Sequence, residues 1–105
     1  MLVFYNLIDN SIRHGNHVTK IQISLVQDVS GNAVLVYEDN GIGIPDSLKN
    51  QIFEKGYGKN NGLGLFLVRE ILEITGFEIK ETGREHVGAR FEITIPTRAL
   101  RKNRT

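Results

Sequence analysis

Residues 6–15 read NLIDNSIRHG, and residues 39–43 read DNGIG. On a helix, at about 100° per residue, Asn6, Asn10, Arg13 and His14 fall within roughly a third of the circumference. Phe4, Leu7, Ile8 and Ile12 take the opposite side. One face therefore suits a core. The other carries two neutral amides, a cation and an imidazole, a set that adds nothing to packing and suits a bound ligand.

Working outward, the apolar period is already running at Phe4 and Leu7 with no capping residue before it. The chain is therefore expected to lack an upstream piece. Gly15-Asn16 is a good stop for the first helix. Lys20 to Gln27 alternates Ile21, Ile23 and Leu25 with polar residues, the pattern of a half-exposed strand. Across the turn Asp28 to Asn32, the unbroken apolar run Ala33 to Tyr37 fits a more buried antiparallel partner. Pro45-Asp46-Ser47 can open a short helix. The segment FEKGYGKNN, residues 53–61, is rich in glycine, lysine and asparagine and reads as a mobile loop with few core anchors. Gly62-Leu63-Gly64-Leu65 leads into a second helix with Gly64, Leu67, Val68, Ile71 and Leu72 as its expected buried side. Gly76 ends it, and Phe77 to Thr82 and Ala89 to Pro96 make two more strands. The order helix, two strands, loop, helix, two strands gives an α+β sandwich with helices on one face of a sheet. Four strands cover such helices thinly, as a missing N-terminal strand and helix would explain.

With 105 residues the chain holds one domain at most, here residues 1–97, followed by a basic tail over residues 98–105. That tail holds four of the 13 basic groups (Arg98, Arg101, Lys102 and Arg104) and none of the 12 acidic ones. The rest is therefore net negative, the wrong balance for a nucleic-acid binder, and the tail reads as a solvated end. The absence of cysteine excludes a disulfide framework and a thiolate metal site. No apolar run approaches the ~20 residues of a membrane span.

The two Gly-x-Gly elements do not complete a dinucleotide fingerprint, and no P-loop sequence occurs. Gly62-Leu63-Gly64 still stands just before a helix, where free N–H groups and the dipole favour an anion. Asp39 at a strand end can accept from an exocyclic amine while Gly41 and Gly43 admit a flat ring; equally, it can bond its own turn backbone. Arg13 can reach a ligand or pair with Asp9 at i−4. Lys55 and Lys59 suit a phosphate or open solvent.

Together, NLIDNSIRHG, DNGIGIP, Phe53 and NGLGLFLVREIL resemble, in order and wording, the four boxes of the ATP-binding domain of sensor histidine kinases. That fold is shared with type II topoisomerases, the ninety-kilodalton heat-shock chaperone and mismatch-repair ATPases, and the likeness runs from Val3 to Pro96. It implies a two-layer sandwich of the Bergerat (GHKL) type, with a mixed, mostly antiparallel sheet. It implies ATP and Mg²⁺ as cofactors, with Asn10 and Asn6 as metal ligands through neutral oxygens suited to a hard cation. Asn6, Asn10 and Arg13 would carry the chemistry. Arg13 would touch phosphate, His14 the adenine or ribose, and Asp39 the adenine amine, with Gly41 and Gly43 shaping that pocket. Phe53 would anchor the lid; Lys55, Lys59, Gly62, Leu63 and Gly64 would serve the phosphates.

The implied partners are a separate dimerisation domain bearing the phospho-acceptor histidine and a response regulator. Nucleic acid and membrane contact are not implied, and the fragment is expected in the cytoplasm. His14, His17 and His86 read as structural or surface residues rather than phospho-acceptors, so the chain alone is not expected to autophosphorylate. Asn6 stands where the ATPase relatives place a glutamate base, and an amide cannot take a proton from water at neutral pH. Ser11 replaces the usual alanine, a small change; Asn61 replaces a commoner threonine. An anti-sigma-factor-type serine kinase, or a non-catalytic nucleotide-sensing or docking module, are the alternatives. All require the amide helix, the acidic turn and the glycine-led helix start to surround one cavity large enough for a nucleoside triphosphate.

Overall fold

The computed structural model describes residues 2–57 and 64–96. In order, α1 spans Leu2–His14, β1 Ile21–Gln27, β2 Ala33–Asp39, α2 Gly64–Ile74, β3 Glu78–Glu81 and β4 Arg90–Ile95. Two 3-10 turns, Asp46–Leu48 and Gln51–Phe53, lie between β2 and α2.

Local chemistry sets these boundaries. The Gly15 N–H still bonds the Ser11 carbonyl at 2.9 Å, and Asn16 and His17 then take positive φ, which ends α1. In the β1–β2 hairpin Asp28 Oδ1 accepts from the Ser30 and Asn32 N–H groups at 2.9 Å each, an Asx turn. At the end of α2, Phe77 N bonds Leu72 O and Gly76 N bonds Glu73 O, with Gly76 at φ 82°: a Schellman stop.

The strands form one sheet in the order β1-β2-β4-β3, and every pairing among the described residues is antiparallel. Side chains alternate across it. Tyr37 and Asp39 of β2 point to the helices, where Tyr37 Oη meets Leu7 O and Asp39 Oδ2 meets Ser11 Oγ. Glu38, Arg90 and Glu92 hold the opposite face with a chain of ion pairs. The core lies between sheet and helices: Leu7, Tyr37, Ile52, Phe53, Leu65, Val68, Leu72, Ile79, Phe91 and Ile93 are all buried in one cluster. Phe91 is its centre, with the Phe53 ring edge-on at 6.2 Å and the Tyr37 ring tilted at 6.4 Å.

Three expectations about packing change. On α1 the buried residues are Leu7 and Ser11, whereas Ile8 and Ile12 are 38% and 70% exposed. That flank turns toward β1, whose inward Ile21, Ile23 and Leu25 are exposed as well, so sheet and helix leave one apolar flank uncovered. On α2 the buried stripe is Leu65, Val68 and Leu72 rather than one led by Gly64 and Leu67, because the helix leans on both α1 and the Gln51–Phe53 turn. Ile52 and Phe53 are buried in the core, so the segment expected to float from Phe53 onward is anchored at its start.

Tyr37 is fully buried with its hydroxyl between Ser11 Oγ at 2.8 Å and Leu7 O at 3.2 Å. Burial pushes its phenol above the ordinary 10.0; the Asp39 charge pushes the same way, and the Ser11 hydrogen bond partly opposes both.

Phe91→Ala should cost about 3–5 kcal/mol in urea unfolding, a core cavity, while Leu25→Ser on the bare flank should stay within about 0.5 kcal/mol. Equal losses would contradict the placement of the core. A raised phenol pKa means that above pH 10.0 the unfolded chain has released the Tyr37 proton while the folded chain retains it. Stability from this group is complete below that pH and lost as pH rises past it. Tyr37→Phe should therefore flatten the alkaline decline in stability relative to the parent chain; parallel curves would rule the effect out.

Candidate functional site

Two parts of the candidate site meet α1. On the side toward α2, Asn6, Asp9, Asn10 and His14 line a cavity of about 60 Å³ closed by Ile52, Tyr57, Gly64 and Leu65. Asn6 commits its Nδ2 to Leu2 O at 3.0 Å, one turn back. Its Oδ1 is thereby left toward the first residue of α2, where a Cβ on Gly64 would meet it in ordinary contact at 3.4 Å.

The acidic turn joins α1 at its other end. Asp39 is 8% exposed, and its carboxylate is held on three sides. Oδ1 accepts from Gly41 N at 2.9 Å and Ala89 N at 3.0 Å, and Oδ2 accepts from Ser11 Oγ at 2.6 Å. The turn bond to its own backbone is thus present, alongside two bonds that a local turn does not need. The turn itself packs on the end of α1: Ile42 N donates to Gly15 O at 2.7 Å, and any Cβ at 41 would collide with the Gly15 carbonyl and Cα. Glycine at 41 follows from that close approach. Gly43, at φ 75°, is pressed from outside by the β3–β4 hairpin, where His86 N donates to Ile42 O.

A second buried carboxylate fixes the turn from below. The Glu81 side chain is fully buried, pairs with the Lys49 ammonium, and accepts from Arg90 N through its other oxygen at 2.9 Å. Lys49 also donates to Ile44 O at 3.0 Å. Residues 44–49 are thereby tied to the β3–β4 hairpin, so the Gly41–Gly43 turn is held between two anchored segments.

Other expected residues fall elsewhere. Arg13 is not brought to the cavity: its Nε bonds both oxygens of Asp9 at 2.9 and 3.0 Å, the i−4 pairing left open from the sequence. Phe53 is a core residue beneath the Arg69 guanidinium, 5.6 Å from its ring centre. Lys55 is exposed and does not line the cavity. Lys59, Gly62 and Leu63 lie outside the described residues.

A single large cavity was expected beside the start of α2; residues 58–63, which lead into that helix, lie outside the described residues. The part lined by the described residues measures about 60 Å³, against the ~300–1,000 Å³ of whole small-molecule sites. A larger concavity, about 760 Å³, opens between Pro45–Ser47 and the Thr82–Arg90 hairpin. It borders Asp39 but none of Asn6, Asn10, His14 or Gly64, so it is a notch between loops rather than the junction of the site.

Ser11, set aside as a minor departure, proves to be a direct partner of Asp39. A signal existed: Ser11 follows Leu7 by one helical turn, on the stripe that faces the sheet. A hydroxyl buried there must find an acceptor.

The chain matches the family described as histidine kinase-, DNA gyrase B- and HSP90-like ATPase over residues 1–99. It is 37% identical over 100 residues to the alginate biosynthesis sensor protein KinB of Pseudomonas aeruginosa, covering 90% of this chain and 16% of that protein. It is 37% identical over 95 residues to the sensor protein CitS of Halalkalibacterium halodurans, covering 87% and 18%. The chain thus spans less than a fifth of either relative. Among solved structures, the ATP-binding domain of PrrB from Mycobacterium tuberculosis is 29% identical with a TM-score of 0.71, covering 90% of this chain and 64% of that one. The catalytic domain of the histidine kinase ThkA, nucleotide-free, is 32% identical at a TM-score of 0.68, covering 90% and 63%. With its sandwich, its amide helix and its buried turn carboxylate all accounted for, the chain belongs to the histidine kinase-, DNA gyrase B- and HSP90-like ATPase family, as an ATP-binding domain of the sensor histidine kinase kind.

Proposed function

We propose that this chain is the Mg-ATP-binding part of a two-component sensor histidine kinase, presenting the γ-phosphate to a histidine on a separate dimerisation domain, with a response regulator downstream. The observation that carries it is the meeting of two chemistries on one helix. Neutral amide oxygens and a glycine-led helix start share a cavity on one side of α1, and a buried acceptor lies under its other end.

The donor set fits magnesium. Among the described residues no group of three or more His, Cys, Asp or Glu could hold a metal by itself. Mg²⁺ favours a few protein oxygens plus phosphate and water, which is what Asn10 and the free Oδ1 of Asn6 supply. When bound, the ion neutralises phosphate charge. The residues themselves position: Asp39 holds the base through its amine, the amides and the start of α2 hold the phosphate end, and the distance between them sets where the terminal phosphate emerges. His14, beside the amides, faces the same space. Arg13, bound to Asp9, serves the phosphates only if that exposed pair opens, which costs little. Asn6 offers no base for water, so transfer is favoured over hydrolysis.

Asp39→Asn should weaken ATP binding by about 1–3 kcal/mol, roughly 5- to 150-fold, through loss of a buried charge-assisted hydrogen bond. Unchanged affinity in calorimetry would refute the adenine assignment. Asn10→Ala should weaken binding chiefly when Mg²⁺ is present; an equal loss with and without the metal argues against a ligand role. Mixing the chain with labelled ATP and a separately made dimerisation domain tests the class of reaction. Label on histidine supports the proposal, acid-stable label on serine supports a serine kinase, and binding without transfer supports a nucleotide-sensing module.

A further inference from the structure

We propose that Ser11 is a positioning residue that fixes the Asp39 carboxylate as an acceptor for a 6-amino purine, so that preference for 6-amino over 6-oxo nucleoside triphosphates depends on it. The inference deepens the reading of Asp39 as the base contact and rests on it.

The proton inventory carries it. Asp39, as a carboxylate, can only accept, so the single Ser11 proton goes to Oδ2 at 2.6 Å. Ser11 Oγ then accepts from the Tyr37 hydroxyl at 2.8 Å, and Leu7 O at 3.2 Å is a longer second acceptor for the same proton. The chain of donors therefore runs in one direction, from Tyr37 through Ser11 to Asp39. All three groups are buried, Tyr37 and Ser11 almost completely. Such a chain polarises along its length and holds its end group in place.

Two backbone N–H groups occupy Oδ1, and Ser11 occupies one side of Oδ2. Of the roughly four acceptor directions of a carboxylate, one remains, and it lies on Oδ2. A ligand group there must donate. An amine does; a 6-oxo group would set oxygen against oxygen. The outer torsion of an aspartate is broad, so the two amides on one oxygen do not by themselves fix the other. Ser11 does. Alanine at this position would free a second direction on Oδ2 and leave a hydroxyl-sized gap, and a carboxylate that can turn, or hold a water that donates, no longer rejects the oxo group.

The test compares ATP with ITP on the 105-residue chain by calorimetry, for the parent, Ser11→Ala and Asp39→Asn. Ser11→Ala should reduce the ATP-over-ITP preference by about tenfold or more, since sites that pair a specific polar group discriminate strongly and lose this when its geometry relaxes. A merely structural serine would weaken both nucleotides equally, and an unchanged ratio overturns the proposal. A second measurement needs no nucleotide. In Ser11→Ala, amide hydrogen exchange should accelerate severalfold at Gly41 and Ala89, the two N–H groups bound to Asp39, and stay unchanged at Ile93 in the middle of β4. Uniform acceleration, or none at Gly41 and Ala89, overturns it as well. The two levels separate cleanly. If Asp39→Asn leaves ATP affinity intact, the base contact is wrong and the inference falls with it. If Asp39→Asn loses ATP while Ser11→Ala keeps the ratio, positioning alone is wrong.

Discussion

Burying the Asp39 carboxylate constrains the whole of the site. A charge with so little access to water needs hydrogen bonds from the protein, and it draws them from three separate parts of the chain: Ser11 on α1, Gly41 in its own turn and Ala89 just before β4. Those bonds require α1 to end over β2, the turn to fold back beneath it, and the hairpin to close against both. The close approach of Gly41 to Gly15 and the grip of the hairpin on Ile42 are the steric record of the same requirement. The buried carboxylate and the helix that carries the amides are thus one rigid unit.

The second buried carboxylate has a different task. Glu81 is neutralised by Lys49 and bonded by the Arg90 N–H, and Lys49 spends a further proton on the Ile44 carbonyl. Buried pairs of this kind contribute little net stability, but they specify which segments meet. Here they fasten the irregular stretch after the turn to the sheet edge, where no regular ladder could hold it. Phe53 continues the anchoring, packing on Phe91 and under Arg69, so that the chain is fixed again just before residues 54–57 become exposed.

Opposite the site, apolar side chains stay exposed. The inward side chains of β1 and the flank of α1 bearing Ile8 and Ile12 remain open, and the hydrophobic cluster does not reach them. The core is therefore displaced toward β4 and α2, beneath the candidate site rather than evenly under the sheet. The solved catalytic domains that this chain resembles are longer, the chain spanning 63–64% of them.

Much of this was legible in the sequence. Alternation in Lys20–Gln27, the apolar run of β2, the glycine stops at 15 and 76 and the two glycine-led motifs placed the helices and strands to within a few residues, since each depends on its own neighbours. The family followed from the wording of the motifs. Which face of each element would be buried did not. Apolar Ile8 and Ile12 fit a core as well as Leu7 does, and only the position of α1 over β2 puts Ser11 inside and those two out. In the same way Leu65 replaced Leu67 because α2 rests on a 3-10 turn that periodicity does not reveal. Asp39, Gly41 and Gly43 could be picked out by residue type, but not that the carboxylate would spend three of its acceptor directions within the protein, nor that Arg13 would turn to Asp9. Residue chemistry limits what a side chain can bond; only the assembled fold determines which partners come within reach, because the bonds to Ser11 and Ala89 link residues 28 and 50 positions from Asp39.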